Sequence, residues 1–247
     1  MCVGVKSVEE VVSASELAEL KESAFGVFFT LGEIKWVNGQ LLILFALNYV
    51  EPIKRSGEVD RLKFHIGNRI VEFKKTDFPL ITGMKFGKEA KYEDIDQENL
   101  NDINTRYFRG KMSVSRLEVE NVFNGIKNNK DRGRLDAVKL ALLILVVNQV
   151  VGNHQGLTKI PALYMHVVDN LERFNEFQWG EHLWKNLVES IRKCLAILNS
   201  GEHCRFTFPS FLFPLQIWAF ETFPYLSGNG IFVVGENWST LWPRALR

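Results

Sequence analysis

The residues of this sequence best suited to nucleophilic chemistry are its three cysteines, Cys2, Cys194 and Cys204. A cysteine nucleophile needs a histidine beside its thiolate, a third group that orients the histidine, and a donor for the oxyanion. Cys204 directly follows His203, but sequence neighbours seldom form such a pair, because the geometry requires side chains that converge from different elements. Cys194 lies on the apolar stripe of a helical pattern, which favours a buried structural thiol. We therefore assign no catalytic residue.

The histidines and glycines give no signature of a metal or cofactor site. His154 and His166 lie outside any recognisable catalytic pattern. His203 and Cys204 are adjacent, but the sequence has no Cys-x-x-Cys or His-x-x-x-His pair that would hold a structural zinc. Gly228–Gly230 lacks the lysine and the following helix of a phosphate-binding loop. We expect neither a bound metal nor a cofactor.

A group of cations is the sequence feature that could bind nucleic acid. Its members are Lys127, Lys130, Arg132, Arg134 and Lys139. Such side chains can contact phosphates, but Asp131 and Asp136 interrupt the group. The chain as a whole carries 30 Lys and Arg against 29 Asp and Glu, a formal net charge of +1. The pattern favours a solvated surface over a nucleic-acid site.

Composition places the chain among ordinary globular proteins. It has 247 residues, of which 46% are hydrophobic and 24% charged, enough for a sizeable core. An odd, small number of cysteines and an N-terminus without a long apolar segment indicate a reducing compartment, nuclear or cytoplasmic rather than secreted. The longest apolar run, Leu140 to Val147, is too short to cross a bilayer. We expect no membrane association.

The periodicity predicts a mainly α-helical, compact domain. Capping boxes at Ser7 with Glu10, or at Ser13 with Glu16, predict a helix that ends near Ala24. Further predicted helices cover residues 41–50, a segment that starts at the Ser115 capping box, residues 135–151 as a central helix, residues 160–168, and residues 180–199 as an amphipathic helix.

One small β-hairpin is predicted at about residues 62–73. Two alternating segments, Leu62–Ile66 and Arg69–Phe73, flank Gly67–Asn68, a dipeptide suited to a two-residue turn. After the hairpin, Thr76 and Asp77 predict the cap of a short helix that stops at Gly83. The polar stretch from residue 85 to residue 104 is interpreted as a surface loop.

The segment from Phe206 to Leu226 contains a helical stretch that is apolar on almost every side, which is typical of a core helix. Glu221 is its charged member. We expect this carboxylate to lie inside the fold, held by a cation or a backbone donor.

Two statements about domain organisation follow. Residues 1–226 are predicted to form one helical domain, or two lobes divided near residues 85–112. Residues 227–247 are predicted to form a tail, which we interpret as a candidate start of a truncated following segment. Trp238 and Trp242 in this tail are candidates for docking a partner.

Five blocks in order carry a resemblance to a known family: FGVFFTLGEIKW, FHIGNRIVEFKKTDFPLITGMKFG, KLALLILVVNQVV, DNLERFNEFQWGEHLW and FPLQIWAFETFPYL. Together they resemble a plant domain of unknown function found in transposon-derived proteins, often N-terminal to a SUMO-protease-like cysteine peptidase domain. The residues most typical of the family are Phe78, Thr82, Gly83, Trp179, Gly180, Trp218, Glu221 and Pro224. The resemblance implies a nuclear, mobile-element context and no catalytic residue.

Three functional hypotheses result. The first is a non-catalytic interaction or targeting module whose partner is a protein or an adjoining peptidase domain. The second is the N-terminal portion of a SUMO-protease-like peptidase protein without its catalytic domain, since the sequence ends at Arg247. The third is a nucleic-acid-binding module that uses the loop Lys127 to Arg134.

Overall fold

The computed structural model describes residues 3–30, 39–52, 59–87, 102–111, 113–129, 131–148, 158–200 and 211–223. Its mainly α-helical class with a small antiparallel hairpin confirms the predicted fold class. The chain divides into two compact units: unit 1 comprises Met1–Lys35 and Gly87–Trp179, and unit 2 comprises Trp36–Phe86 and Gly180–Arg247. The single domain over residues 1–226 stays a prediction.

Unit 1 is built from short helices and one two-residue β-ladder. Its helices are α1 (Val3–Val11), α2 (Ala14–Glu22), α3 (Val27–Thr30), α6 (Asp102–Phe108), α7 (Arg116–Ile126), α8 (Asp136–Val146), α9 (Ala162–Val168) and α10 (Leu171–Glu176). The strands β3 (Val114–Ser115) and β4 (Lys159–Ile160) pair antiparallel.

Helix α8 forms the centre of unit 1. It contacts α1, α2, α7 and α9, and every residue described from Asp136 to Val147 is buried except Lys139. A helix that is apolar on all sides can satisfy its surface only when other helices surround it. The predicted central helix is therefore confirmed over Asp136–Val146, and residues 149–151 of the prediction lie outside the described residues.

Two capping boxes fix where helices of unit 1 begin. The Ser13 side chain accepts a hydrogen bond from the Glu16 N–H, and the Glu16 carboxylate accepts one from the Ser13 N–H, 2.7 Å away. Ser115 and Glu118 repeat this arrangement at the start of α7. Ser7, the alternative start, lies inside α1, so the choice left open is resolved in favour of Ser13.

In its described residues, unit 2 combines a hairpin with four helices. The helices are α4 (Gly39–Leu47), α5 (Asp77–Thr82), α11 (Trp179–Ser200), of which Gly180 onward belongs to this unit, and α12 (Phe213–Thr222). The strands are β1 (Arg61–Ile66) and β2 (Arg69–Lys74). The register pairs Leu62 with Phe73 and Phe64 with Val71, and Gly67 takes the positive φ of 60° that the turn requires.

Aromatic rings form the core of unit 2. Trp218 of α12 packs against Phe45, Phe64 and Phe73, with ring centroids 5.8, 6.0 and 5.3 Å away. All residues from Phe213 to Phe220 are buried. The prediction that this stretch is a core helix is confirmed.

Helices α6 and α10 are among the described helices that the sequence did not predict. Helix α6 begins at Asp102, within the last residues of the stretch interpreted as a surface loop. The N–H groups of its first residues, Asp102 and Ile103, donate to the carboxylate of Asp169 at 3.1 and 3.2 Å. This partner is distant in sequence, so no local pattern revealed it. Asn170 is the N-cap of helix α10, and its side chain accepts a hydrogen bond from the Arg173 N–H at 2.9 Å. None of the described helices combines the length and hydropathy that a bilayer crossing requires.

Candidate interaction surfaces

The described members of the predicted nucleic-acid group are largely engaged with the rest of unit 1. The Arg132 guanidinium lies 3.1 Å from the Glu16 carboxylate. The Lys127 ammonium donates to the Glu10 carbonyl oxygen at 3.3 Å, and Arg134 is exposed. Lys130 lies outside the described residues. Pairing of Arg132 with an acid reduces the positive charge that this loop offers to a phosphate.

Asp136 organises the region that follows this loop. It is 2% exposed and accepts hydrogen bonds from the Arg106 guanidinium at 2.7 and 2.8 Å, from the Tyr107 hydroxyl at 2.5 Å and from the Gly133 N–H at 2.7 Å. Burial, together with the hydrogen bond to Asp136, raises the pKa of Tyr107. Its partners come from α6 and from the loop that precedes α8, so Asp136 acts as a structural anchor that joins α6, the loop and α8.

Of the three cysteines, Cys194 is the one that lies within the described residues, and it is a structural thiol. Cys194 is 1% exposed, and burial raises the pKa of its thiol to about 11, so the reactive thiolate is disfavoured at neutral pH. His166 contacts Arg173, and partial burial with this cation lowers the pKa of the imidazole. Cys2, His154, His203 and Cys204 lie outside the described residues. Within the described part of the chain, no cluster of His, Cys, Asp and Glu has the arrangement of a metal site.

The family-typical residues of α5 shape the end of that helix. Phe78 and Thr82 are buried. The Thr82 hydroxyl donates to the Phe78 carbonyl at 2.9 Å and accepts from the Met84 N–H at 3.2 Å. Gly83 takes a φ of 68°, and its N–H donates to the Pro79 carbonyl. The helix therefore ends with Gly83 in the left-handed backbone conformation, which favours glycine. The side chain of Thr76, predicted to cap α5, makes no capping hydrogen bond.

Trp179 and Gly180 each complete the packing of their own unit. In unit 1, the Trp179 ring packs on Phe25, Phe174 and Phe177 with centroids 4.6, 5.0 and 4.4 Å away, and its indole N–H donates to the Phe174 carbonyl. In unit 2, a methyl group on Gly180 would lie 2.4 Å from ring atoms of Phe86. Both residues therefore serve the fold.

The prediction for Glu221 was wrong. Glu221 lies in the last turn of α12 and is exposed, whereas the preceding residues of the helix are buried. The helix turns its final residues towards solvent, so the carboxylate stays hydrated and needs no buried cation. Pro224, Trp238 and Trp242 lie outside the described residues.

Helix α4 presents an exposed aliphatic face. Leu41, Leu42 and Phe45 on one side are buried. The opposite side of the helix is exposed at Ile43 (37%), Leu44 (45%) and Leu47 (56%). Val50, which follows the turn after α4, extends this exposed side (36%). No charged residue occurs between Gly39 and Val50. A contiguous group of this kind is typical of a protein-contact surface.

The hairpin has an open edge at β2. The Val50 N–H donates to the Lys63 carbonyl and the His65 N–H donates to the Asn48 carbonyl, both at 2.8 Å. The backbone groups of Lys63 and His65 therefore face Asn48–Val50, and the intervening residues of β1 face β2. By the same alternation, the backbone groups of Ile70 and Glu72 point away from β1. Among the described residues, no strand pairs with this side of β2.

The outward surface of the hairpin is cationic. Between Arg61 and Lys74 the sequence has four cations, Arg61, Lys63, Arg69 and Lys74, and one carboxylate, Glu72. The ammonium of Lys63 and the guanidinium of Arg61 each lie 3.1 Å from Glu72, and the hydrogen bond from Lys63 with these charges lowers the pKa of Glu72. Two cations surround this one acid, so the surface keeps an excess of positive charge.

A cleft of about 540 Å³ opens where the hairpin meets α5. It is lined by Asp60, Arg61, Lys74, Lys75, Thr76, Pro79 and Phe86. Lys75 is held inside unit 2 by an ion pair with Glu181 at 2.7 Å and by the ring of Phe86, whose centroid is 5.8 Å from the ammonium. The cleft thus combines an apolar wall with a predominantly cationic rim, in which Asp60 is the one carboxylate among the described lining residues.

The comparison with protein families decides the membership of the chain. The family described as Domain of unknown function (DUF1985) matches residues 55–190, more than half of the sequence. The chain belongs to this family. The DUF1985 region contains the hairpin, α5 and Gly180, whereas α4 and α12 lie outside it. No curated protein matches the chain significantly, and no solved structure does either.

Proposed function

We propose that this DUF1985 protein is a non-catalytic protein-interaction module of a mobile-element-derived plant protein, and that it docks a SUMO-protease-like cysteine peptidase domain in the nucleus. The plant, mobile-element and peptidase context comes from the sequence resemblance. The observation that carries the docking function is the exposed aliphatic face of α4.

The α4 face has the physical properties of a docking surface. Its four exposed side chains, Ile43, Leu44, Leu47 and Val50, retain between 36% and 56% of their accessible area. Covering the remainder would contribute on the order of 1 kcal/mol per side chain before the entropic cost of association. The absence of charge between Gly39 and Val50 means that a partner can cover this face without burying an unpaired ion.

The experiment compares two Leu→Asp variants in the full chain. Leu47→Asp places a carboxylate at the centre of the α4 face, where a partner would have to desolvate it. Leu117→Asp is the matched control, because Leu117 is 47% exposed on α7 in unit 1. Binding of each variant to a purified plant SUMO-protease-like peptidase domain is measured by isothermal titration calorimetry.

We expect the wild type and Leu117→Asp to bind with the same affinity and Leu47→Asp to bind at least tenfold more weakly. Thermal unfolding of the two variants provides the check on folding, since both replaced side chains are exposed. Equal binding by Leu47→Asp and Leu117→Asp, or no binding by the wild type, would contradict the proposed function.

A further inference from the structure

We propose that the open edge of β2 binds an acidic, extended peptide segment of a partner protein, which pairs as an additional strand beside Ile70 and Glu72. This binding mode uses backbone hydrogen bonds for affinity and side-chain chemistry for selectivity. It concerns a surface separate from the α4 face and goes beyond the proposed docking function.

Ile70 and Glu72 of β2 direct their backbone groups away from β1. The outward N–H and C=O groups of Ile70 and Glu72 are the donors and acceptors that a neighbouring strand would use. Ile70 is 57% exposed, so the strand is accessible at this point. At the next outward position the Lys74 N–H is already occupied, because it donates to the Asp77 carboxylate at 2.9 Å. The available edge is therefore short and centred on two residues.

The surface around this edge carries an excess of positive charge. Arg61 and Lys74 lie directly opposite each other in the register, and like charges at such positions destabilise a sheet. Arg61 forms an ion pair with Glu72. Lys74 is exposed, and Arg69 is a further exposed cation next to the turn. Aspartate or glutamate side chains on a guest strand would neutralise this excess. The cationic surface therefore selects an acidic segment.

The cleft beside Lys74 offers an apolar contact surface next to these cations. Its apolar wall, formed by Pro79 and Phe86, lies at the same end of β2 as the cationic rim. An apolar side chain of the guest can enter there while its acidic neighbours face Arg61 and Lys74. A segment that alternates acidic and aliphatic residues matches this surface, since successive side chains of a strand point to opposite faces.

A peptide fits this surface better than a nucleic acid. Phosphates would satisfy the cations equally well, but a nucleic acid has no backbone that alternates N–H donors with carbonyl acceptors at strand spacing. The edge groups of Ile70 and Glu72 therefore favour a polypeptide. Single-stranded DNA serves as the competitor that tests this choice.

The test uses a fluorescein-labelled peptide in which valine and aspartate alternate, titrated with the full chain and followed by fluorescence anisotropy. The first control peptide carries N-methyl groups on alternate residues, which removes its edge hydrogen bonds. The second replaces each aspartate with lysine. We expect the methylated peptide to bind at least tenfold more weakly and the lysine peptide not to bind measurably.

Two variants locate the contact. Ile70→Pro removes an outward N–H without removing a β1–β2 hydrogen bond, and Lys74→Glu reverses a charge at the cleft. We expect each to lower the affinity at least fivefold, while Arg134→Glu, an exposed cation outside the hairpin, leaves it unchanged. Equal binding of the methylated peptide would overturn the proposal, even if Ile70→Pro fails to fold. Stoichiometric displacement of the peptide by a DNA oligonucleotide of equal charge would overturn it as well. Both outcomes are independent of the Leu47→Asp result.

Discussion

Gly180 shows how a single residue identity is dictated by its surroundings. A Cβ at this position would lie 2.4 Å from two ring carbons of Phe86 and 2.7 Å from the Lys85 carbonyl oxygen. The same Phe86 ring contacts the ammonium of Lys75, which lies 5.8 Å from the ring centroid. It also packs edge-to-face against Phe78, with 5.8 Å between the two ring centroids. Movement of the ring would therefore disturb several contacts at once.

We predict that Gly180→Ala lowers the free energy of unfolding by about 1–3 kcal/mol, the usual cost of overpacking, measured by urea denaturation. Gly125→Ala is the control, because a Cβ at Gly125 in α7 meets nothing within 4 Å. Removing a helical glycine there should stabilise the protein by up to about 1 kcal/mol. If the two variants were equally stable, the close contact with Phe86 would not be what excludes a side chain at Gly180.

At the scale of secondary-structure elements, the start of α7 depends on the ionised form of Glu118. The hydrogen bond from Lys111 at 2.5 Å and those from the Ser115 backbone and hydroxyl lower the pKa of Glu118 to about 2. Because the folded-state pKa lies below the unfolded value, the stabilisation is present above the unfolded pKa and is lost as the pH falls towards 2.

We predict that Glu118→Gln destabilises the protein by up to about 1 kcal/mol at pH 7, since glutamine keeps the capping geometry but loses the charge. The difference in unfolding free energy between wild type and variant should shrink as the pH falls from about 5 to about 2. Urea denaturation at several pH values measures it. A difference that stays constant over this range would show that the charge of Glu118 is not responsible.

The elements that the sequence predicted well are those with local signals. The Ser13 and Ser115 capping boxes, the Gly67–Asn68 turn and the Gly83 helix end each depend on residues a few positions apart, and the structure confirms them. Helix α6 depends on Asp169, more than sixty residues later. Such a contact has no trace in local periodicity.

The candidate surfaces were harder to predict than the fold. The apolar run at residues 41–50 predicted helix α4, but not that Leu44 and Leu47 are exposed, because a helix with apolar residues on every side is normally buried. The same reasoning misplaced Glu221. The open edge of β2 depends on the pairing of β1 with Asn48–Val50, which the hairpin pattern alone does not contain.

At the scale of the whole molecule, a net charge of +1 conceals an uneven distribution. Several described cations of unit 1 are paired with acids: Arg106 with Asp136, Arg132 with Glu16 and Lys139 with Asp169. The hairpin of unit 2 instead keeps an excess of positive charge. Whole-chain charge therefore says little about where an anionic partner would bind.

We predict that the loop from Lys127 to Arg134 contributes little to DNA binding. Lys127→Ala and Arg134→Ala should each change the affinity for a short DNA duplex by less than about twofold, whereas a true phosphate contact contributes about one unit to the salt slope. Fluorescence anisotropy at several salt concentrations measures both quantities. A loss of affinity with a shallower salt slope in either variant would support the nucleic-acid hypothesis for this loop.

The Asp77 carboxylate that accepts the Lys74 N–H has a consequence for self-propagating assembly. An exposed strand edge can template the addition of one chain after another, the first step towards fibrils. By accepting the N–H at the third outward position of β2, Asp77 shortens the available edge to Ile70 and Glu72, and a shorter edge is a weaker template for such growth. Shortening of an exposed edge is one of the ways in which proteins limit edge-to-edge aggregation.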